Sequence, residues 1–435
     1  MSDAVQLTVW GLLGTFALIA LHVPVGVAMG IAGVAGFGLL AGFGPAFAMI
    51  ASETSNALAS LDLATIPLFV LMGSFASAAG LSEDLYRLAY ALVGHRRGGL
   101  AMATIGGCAG FGAVCGSSVA TAATFGRASL PSMLSRGYSP GFAAGTVASG
   151  GTLGILIPPS SIMVIYAVLA QELIITLYVA ALVPALLAVA LHVSAIAAYT
   201  RWRPHEAPTG PRATPAERLA ALRAGWPVVV LATVVIGGMA IGVFTATESA
   251  AVGAMLASAF AWARGRLDAR TLRDALVATA STSAMIYVLI VGASLFGYFA
   301  AVTQAPQALV AAVEASGIPV WAAVAIMMLA FIVAGAVFDE VAAMVVTMPF
   351  VLPLIKAWGF DPVWWGIVNV VIIELGMLIP PLGMNVFVVK GVAPQIPLGA
   401  IYRGVAPYVA SNLVRLVVLL AFPALSLWLP GVLKG

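Results

Sequence analysis

One stretch of this chain is written twice. Residues 106–166 recur 222 positions later, with no gap opened anywhere. At that offset Val119 meets Val341, Ala120 meets Ala342, Leu130 meets Leu352 and Pro131 meets Pro353. Gly137, Pro140 and Gly154 meet Gly359, Pro362 and Gly376, and Leu156-Ile157-Pro158-Pro159 returns as Leu378-Ile379-Pro380-Pro381. Proline lacks a backbone donor and glycine weakens a helix, so each copy must interrupt its helix at the same place. Such a chain folds as two copies of one unit, and matched helix breaks in an apolar setting point to a transport site.

The setting is apolar. The chain is 62% hydrophobic and 8% charged, with mean hydropathy +1.10. That predicts an all-α polytopic membrane protein. The strict alternation of a membrane β-barrel is absent. A net charge of +3 says nothing about nucleic acid. Cys108 and Cys115 lie in an apolar run and read as packing residues, with no CxxC or Cys/His spacing. The start reads as a first span, since it lacks a basic n-region and a cleavage site.

Charge sets the threading. Arg201, Arg203, Arg212, Arg218 and Arg223 share one polar segment, and Arg264, Arg266, Arg270 and Arg273 another. The positive-inside rule places both in the cytoplasm. Predicted spans cover 5–22, 25–43, 63–80, a broken span 140–172, and 173–200. Arg97 and Arg136 then share the cytoplasmic side, so residues 100–136 form a re-entrant hairpin with its tip at Gly116-Ser117-Ser118. Residues 81–97 read either as an interfacial arm or as the polar end of a long span, and the N-terminus lies outside. In the second half, spans 227–244, 247–265 and 285–302 precede a hairpin over 319–358, a broken span 362–394 and a last span 404–430. The repeats are thus 1–200 and 227–435, joined by a cytoplasmic linker 201–226. Each half holds five crossings plus one hairpin; five is odd, so the halves insert oppositely, an inverted-topology repeat.

Four breaks at bilayer depth expose backbone groups that lipid cannot satisfy. Freed carbonyls and hydroxyls suit Na⁺, and half-helix N-termini suit a carboxylate. The first cation candidates are Ser117, Ser118, Gly151, Thr152 and Pro158; their counterparts are Asp339, Glu340, Gly376 and Pro380. Substrate between the tips would meet Ser118, Ser160, Ser161 and Asn385. Glu374 falls at the register position of Thr152 and could hold a cation or a proton, or pair with a base. Arg127 reads as snorkelling towards the cytoplasmic surface, Arg415 as a snorkelling, lipid-facing or partner-contacting residue, and His192 as a packed histidine. No HExxH, GxSxG, Walker or Rossmann pattern is present, so enzyme chemistry and ATP-driven transport are not expected.

These residues resemble the large membrane subunit of tripartite ATP-independent periplasmic (TRAP) transporters, the DctM-like permeases. The resemblance is carried by DLATIPLFVLMG (62–73), GSSVATAATFGRASLPSMLSRGY (116–138) and GTLGILIPPSSIMVIYAV (151–168). FTATESAAVGA (244–254), TMPFVLPLIKAWGFDPVWWGIV (347–368) and ELGMLIPPLGMNVFVVKGV (374–392) carry it in the second half. It implies an elevator-type secondary transporter that imports an organic acid, such as a C4-dicarboxylate, keto acid or sugar acid. It further implies Na⁺ as coupling ion, a small four-helix membrane subunit and a periplasmic substrate-binding protein. Two positions depart from the family pattern: Ile372 stands where Asn is common, and Glu340 where a small or polar residue is common. They leave H⁺ coupling open. The alternative reading is a stand-alone dicarboxylate or citrate symporter of the same superfamily.

Overall fold

A computed structural model describes residues 3–434, and among them the chain is helical with no strand longer than an isolated bridge. The first half contains α1 (Asp3–Ala20), α2 (Val25–Ala41), α3 (Phe43–Ala59), α4 (Leu61–Ala78) and α5 (Leu81–Val93). It continues with α6 (Gly99–Cys115), α7 (Ser118–Ser135), α8 (Pro140–Leu156), α9 (Ser161–Ala170) and α10 (Ile174–Trp202). The second half opens with α11 (Pro215–Ala232), continued through a π-turn into α12 (Gly238–Ala240), then α13 (Ala246–Ala263), α14 (Ala269–Val302) and α15 (Ala305–Ala315). It closes with α16 (Val320–Val337), α17 (Glu340–Ala357), α18 (Pro362–Gly376), α19 (Met384–Val392), α20 (Leu398–Ala421) and α21 (Ala424–Lys434). Seven of the described helices are long and apolar enough to cross a membrane, or eight if α8 and α9, bent by 42°, count as one span.

The element boundaries follow the sequence register. The pairs α2/α13, α5/α15, α6/α16, α7/α17, α8/α18 and α9/α19 begin or end within a few residues of a 222-position offset. Each hairpin turns where expected, at Gly116-Ser117 and at Phe338-Asp339. Both Pro158-Pro159 and Pro380-Pro381 are cis and lie in the gaps after α8 and α18. The last fifteen residues of α8 and the last fourteen of α18 are all buried. A helix that is apolar on every side belongs in a protein interior, and these two form the centre of the molecule.

Five expectations need correction. The segment between the second and third expected spans is itself a helix, α3. Its counterpart is absorbed into α14, which is 34 residues long instead of the expected 285–302. The difference lies at Ser60: its extended backbone separates α3 from α4, and its hydroxyl accepts from Leu63 N–H at 3.3 Å to cap α4. The linker is shorter than 201–226, because α10 runs to Trp202 and α11 starts at Pro215. There Thr214 and Glu217 form a reciprocal capping box. The expected last span is divided at Phe422-Pro423 into α20 and α21. Finally, Arg415 neither snorkels nor faces lipid; its side chain is fully buried and paired with Glu374.

The linker is pinned. Glu206 accepts from Ser139 Oγ at 3.0 Å, Tyr199 OH at 2.8 Å and Arg203 Nη1 at 3.1 Å, and its carbonyl accepts from Ser139 N–H at 3.0 Å. Slight burial works to raise the Glu206 carboxyl, but these donors hold it below the usual range.

Two contacts between the halves are equivalent under the register. A Cβ on Gly26 would lie 2.7 Å from Leu289 Cα, and one on Gly33 would lie 2.6 Å from Phe296 N. The numbering rises together on both helices, so α2 and α14 pack in parallel. Their register partners are α13 and α4. Thr247 Oγ1 lies 2.9 Å from Thr65 Oγ1, and Arg264 Nη1 donates to Ala79 O at 2.9 Å, so this pair is parallel too. Arg264 also pairs with Asp84 at 2.5 Å, fixing the joint between α4 and α5.

Candidate functional site

Both hairpin tips border one cavity of about 750 Å³. Gly116 and Ser117 line it from the first tip, Asp339 and Glu340 from the second, and Ser161 from the start of α9. Ser74 and Ser77 of α4, Thr124 of α7, and Thr271, Asp274 and Thr282 of α14 complete its polar wall. Its charged lining residues are all acidic: Asp274, Asp339 and Glu340. A second cavity, of about 690 Å³ between α2, α3 and α14, has no charged side chain and lies away from both tips.

The first tip exists because of two local devices. Gly116 has φ +63°, a left-handed conformation that costs other residues about 1–2 kcal/mol. A Cβ there would fall 2.5 Å from Pro159 O, so the tip packs directly on the first Pro-Pro break. Ser117 then caps α7: its Oγ accepts from Ala120 N–H at 3.4 Å, and its carbonyl accepts from Thr121 Oγ1 at 2.7 Å. At the second tip Asp339 is the cap. A single carboxylate oxygen accepts from Val341 N–H and Ala342 N–H, both at 3.0 Å. Glu340, one residue on, has a buried Oε2 with no protein hydrogen bond, and its carboxylate faces the Ser118 backbone N–H of the other tip.

The halves interlock at the site. Asn385, on α19 just past the second break, donates from Nδ2 to Ser118 Oγ at 2.6 Å and to Ala148 O of α8 at 3.1 Å. Its Oδ1 is buried and has no protein donor, as does Ser149 Oγ nearby in sequence to Ala148. A Cβ on Gly151 would lie 3.0 Å from the Asn385 amide nitrogen, so Gly151, Ser118 and Asn385 meet.

Of the expected residues, Ser117, Asp339, Glu340 and Ser161 line the cavity. Ser118 and Asn385 lie behind it and are fully buried. Ser160 is buried and donates from Oγ to Ile155 O at 2.5 Å, so its hydroxyl closes the end of α8. Thr152 Oγ1 donates to Ser149 O at 2.9 Å. Pro158 stands one residue before the carbonyl that Gly116 approaches; Pro380 occupies the matching place at the second break. Gly376 packs against Gly335 of α16, away from the cavity lining. Glu374 is fully buried against Arg415. His192 is a packed histidine as expected, with Nδ1 2.7 Å from Ser411 Oγ and its ring edge-on to Tyr408. Arg127 is exposed.

Sequence reasoning missed Asp274, Ser74 and Ser77. Asp274 carried a signal, an acid entering an apolar helix, whereas serines inside α4 are indistinguishable from packing residues. Among the described residues no three His, Cys, Asp or Glu gather as a metal cluster. The oxygen atoms present at the first tip are hydroxyl, amide and carbonyl oxygens, which are hard donors.

Comparison with known proteins gives one consistent result. Residues 12–425 match the family described as "Tripartite ATP-independent periplasmic transporter, DctM component". The chain is similar to the C4-dicarboxylate TRAP transporter large permease protein DctM of Pseudomonas aeruginosa, 36% identical over 371 residues, covering 85% of this chain and 86% of that one. It is also similar to the isethionate TRAP transporter permease protein DctMQ of Oleidesulfovibrio alaskensis, 33% identical over 426 residues, covering 97% of this chain and 66% of that one. Among solved structures, the YdaH transporter of Alcanivorax borkumensis shares the fold, with TM-score 0.63, 16% identity and coverage of 97% of this chain and 98% of that one.

Proposed function

Since the chain belongs to the DctM component family of TRAP transporters, we propose that it imports an organic acid by cation-coupled secondary transport, with Na⁺ as the coupling ion. The single observation that carries this reading is the shared cavity. Two helix-breaking tips border it, one rich in hydroxyls and carbonyls and one bearing Asp339 and Glu340. A bound cation would offset the cavity's acids, and the N-terminal end of α7 would then attract the substrate's carboxylate. Specificity for one organic acid belongs chiefly to a periplasmic binding protein in this reading, because no Lys or Arg lines the cavity. The chain works beside a small four-helix membrane subunit.

The parallel packing of α2 on α14 supports opposite insertion of the halves. In the expected threading α4 runs opposite to α2, and α14 is the register partner of α4. Halves inserted alike would place α14 antiparallel to α2. The cavity reaches Thr271 and Asp274 at the start of α14, beside the Arg264, Arg266, Arg270 and Arg273 cluster. By the positive-inside rule that end is cytoplasmic, so the cavity is the inward-facing, release-side state of an elevator cycle.

The test is reconstitution. The permease, the small subunit and the loaded binding protein in proteoliposomes should accumulate substrate under an imposed Na⁺ gradient and not when choline replaces Na⁺. Uptake by this chain with no binding protein, or uptake driven by a pH gradient alone, would overturn the reading.

A further inference from the structure

A charge pair lies in the second half, outside the cavity. Glu374 of α18 and Arg415 of α20 form an ion pair in which both side chains have 0% exposure. The helices α8, α10 and α18 all pack on α20 and enclose it. His192 of α10 bonds Ser411 and Tyr408 bonds Thr146 Oγ1 at 2.7 Å, whereas Asn369 of α18 and Asn412 of α20 are fully buried with no protein hydrogen bond on either amide atom. Arg415 reaches Glu374 Oε2 through Nη2 only; Glu374 Oε1 and Arg415 Nε and Nη1 are buried with no protein partner.

The repeat shows what is unusual here. Glu374 stands in the register position of Thr152, six residues before a Pro-Pro break in each half. In the first half that position carries a neutral hydroxyl already bonded to Ser149 O. In the second it carries a carboxylate, which inside a bilayer demands a counter-charge. An exchangeable cation could supply it. This chain supplies it instead from its own last long span.

We propose that Arg415 is the resident cation of the second half, a tethered guanidinium that takes the place of a coupling ion at Glu374. Glu374 therefore binds no transported cation and carries no transported proton, and coupling cations bind at the hairpin tips alone. This rests on the cation-coupled reading above.

The experiment measures thermal unfolding of the purified full chain in lipid nanodiscs as NaCl replaces choline chloride at constant ionic strength. The double variant Glu374→Gln with Arg415→Gln should keep the wild-type Na⁺ midpoint within about twofold. The single variant Arg415→Gln leaves a bare carboxylate and should gain a Na⁺-dependent stabilisation that the double variant lacks. A double variant whose Na⁺ midpoint moves by more than about tenfold would make Glu374 a coupling ligand and overturn the proposal. So would a single variant that responds to Na⁺ no differently from wild type. Should the single variant not fold, the exchanged pair Glu374→Arg with Arg415→Glu replaces it. That variant should fold and keep the wild-type Na⁺ midpoint, and a shifted midpoint or failure to fold counts against the proposal. A flat wild-type curve with a gain in Arg415→Gln would sink the coupling reading and leave the resident cation standing.

Discussion

Asn385 Nδ2 donates to Ser118 Oγ across 2.6 Å, and so ties the second half's broken span to the first half's hairpin tip. The same amide nitrogen bonds Ala148 O. One side chain thus bridges a tip, a central span and the far repeat. Asn385→Leu removes a donor shared by two buried acceptors, each worth about 1–3 kcal/mol when left unpaired. The variant should unfold at lower temperature and lose cation-dependent uptake. Unchanged uptake at full expression would remove Asn385 from the site.

Asp339→Asn separates structure from coupling. Asn caps a helix about as well as Asp does, so the bonds to Val341 and Ala342 survive and the hairpin should fold. The charge is lost, however. Cation-dependent uptake should fall at least several-fold while membrane insertion stays normal, as read in proteoliposomes. A variant with the wild-type dependence on Na⁺ concentration would show that Asp339 is a cap and nothing more.

Gly116→Ala should be costly for its size. The backbone penalty of about 1–2 kcal/mol adds to a clash with Pro159 O. The first tip must move off its Pro-Pro break, so Na⁺ affinity should weaken, measured by Na⁺-dependent thermal shift. Gly44→Ala, where an added methyl meets nothing, is the control and should be silent. Equal effects at the two glycines would contradict the tip geometry.

Glu206 predicts a pH dependence outside the membrane. Its folded carboxyl lies below the usual range, so the linker's attachment is fully present above the unfolded value and fades as pH falls through the folded one. Limited proteolysis of residues 203–214 should be slow at neutral pH and speed up in acid. Glu206→Gln should be cut more readily at neutral pH and show a flatter pH profile. A segment cut equally fast at both pH values would mean that the bonds to Ser139, Tyr199 and Arg203 do not hold it.

The sequence made the breaks legible because Gly and Pro act locally. Gly116, Pro158 and Pro380 each stand where a helix ends, and the 222-position register told which interruptions belonged together, although Pro131 and Pro353 lie inside α7 and α17. The starts of α7 and α17 fall at the expected tips, where the structure shows Ser117 and Asp339 as their capping residues. What stayed hidden was pairing at a distance. Arg415 looked like a surface cation because nothing in periodicity reveals Glu374, 41 residues earlier, as its partner. The helix α3 escaped because its composition is mixed and its neighbour α4 carries the stronger apolar signal. Asn385 was visible as a polar residue after a break, but its bond to Ser118 spans 267 positions and only the fold brings them together.

The central claim is that two copies of one unit, inserted in opposite senses, meet at their tips. Ser135 at the end of α7 and Ala357 at the end of α17 are register partners, and both are exposed. With Cys108 and Cys115 replaced by Ala, Ser135→Cys and Ala357→Cys can be labelled one at a time in oriented vesicles with an impermeant maleimide. Labelling of the first from the cytoplasmic face and of the second from the periplasmic face is the expected result. Labelling of both from one face would contradict the inversion and, with it, the shared site.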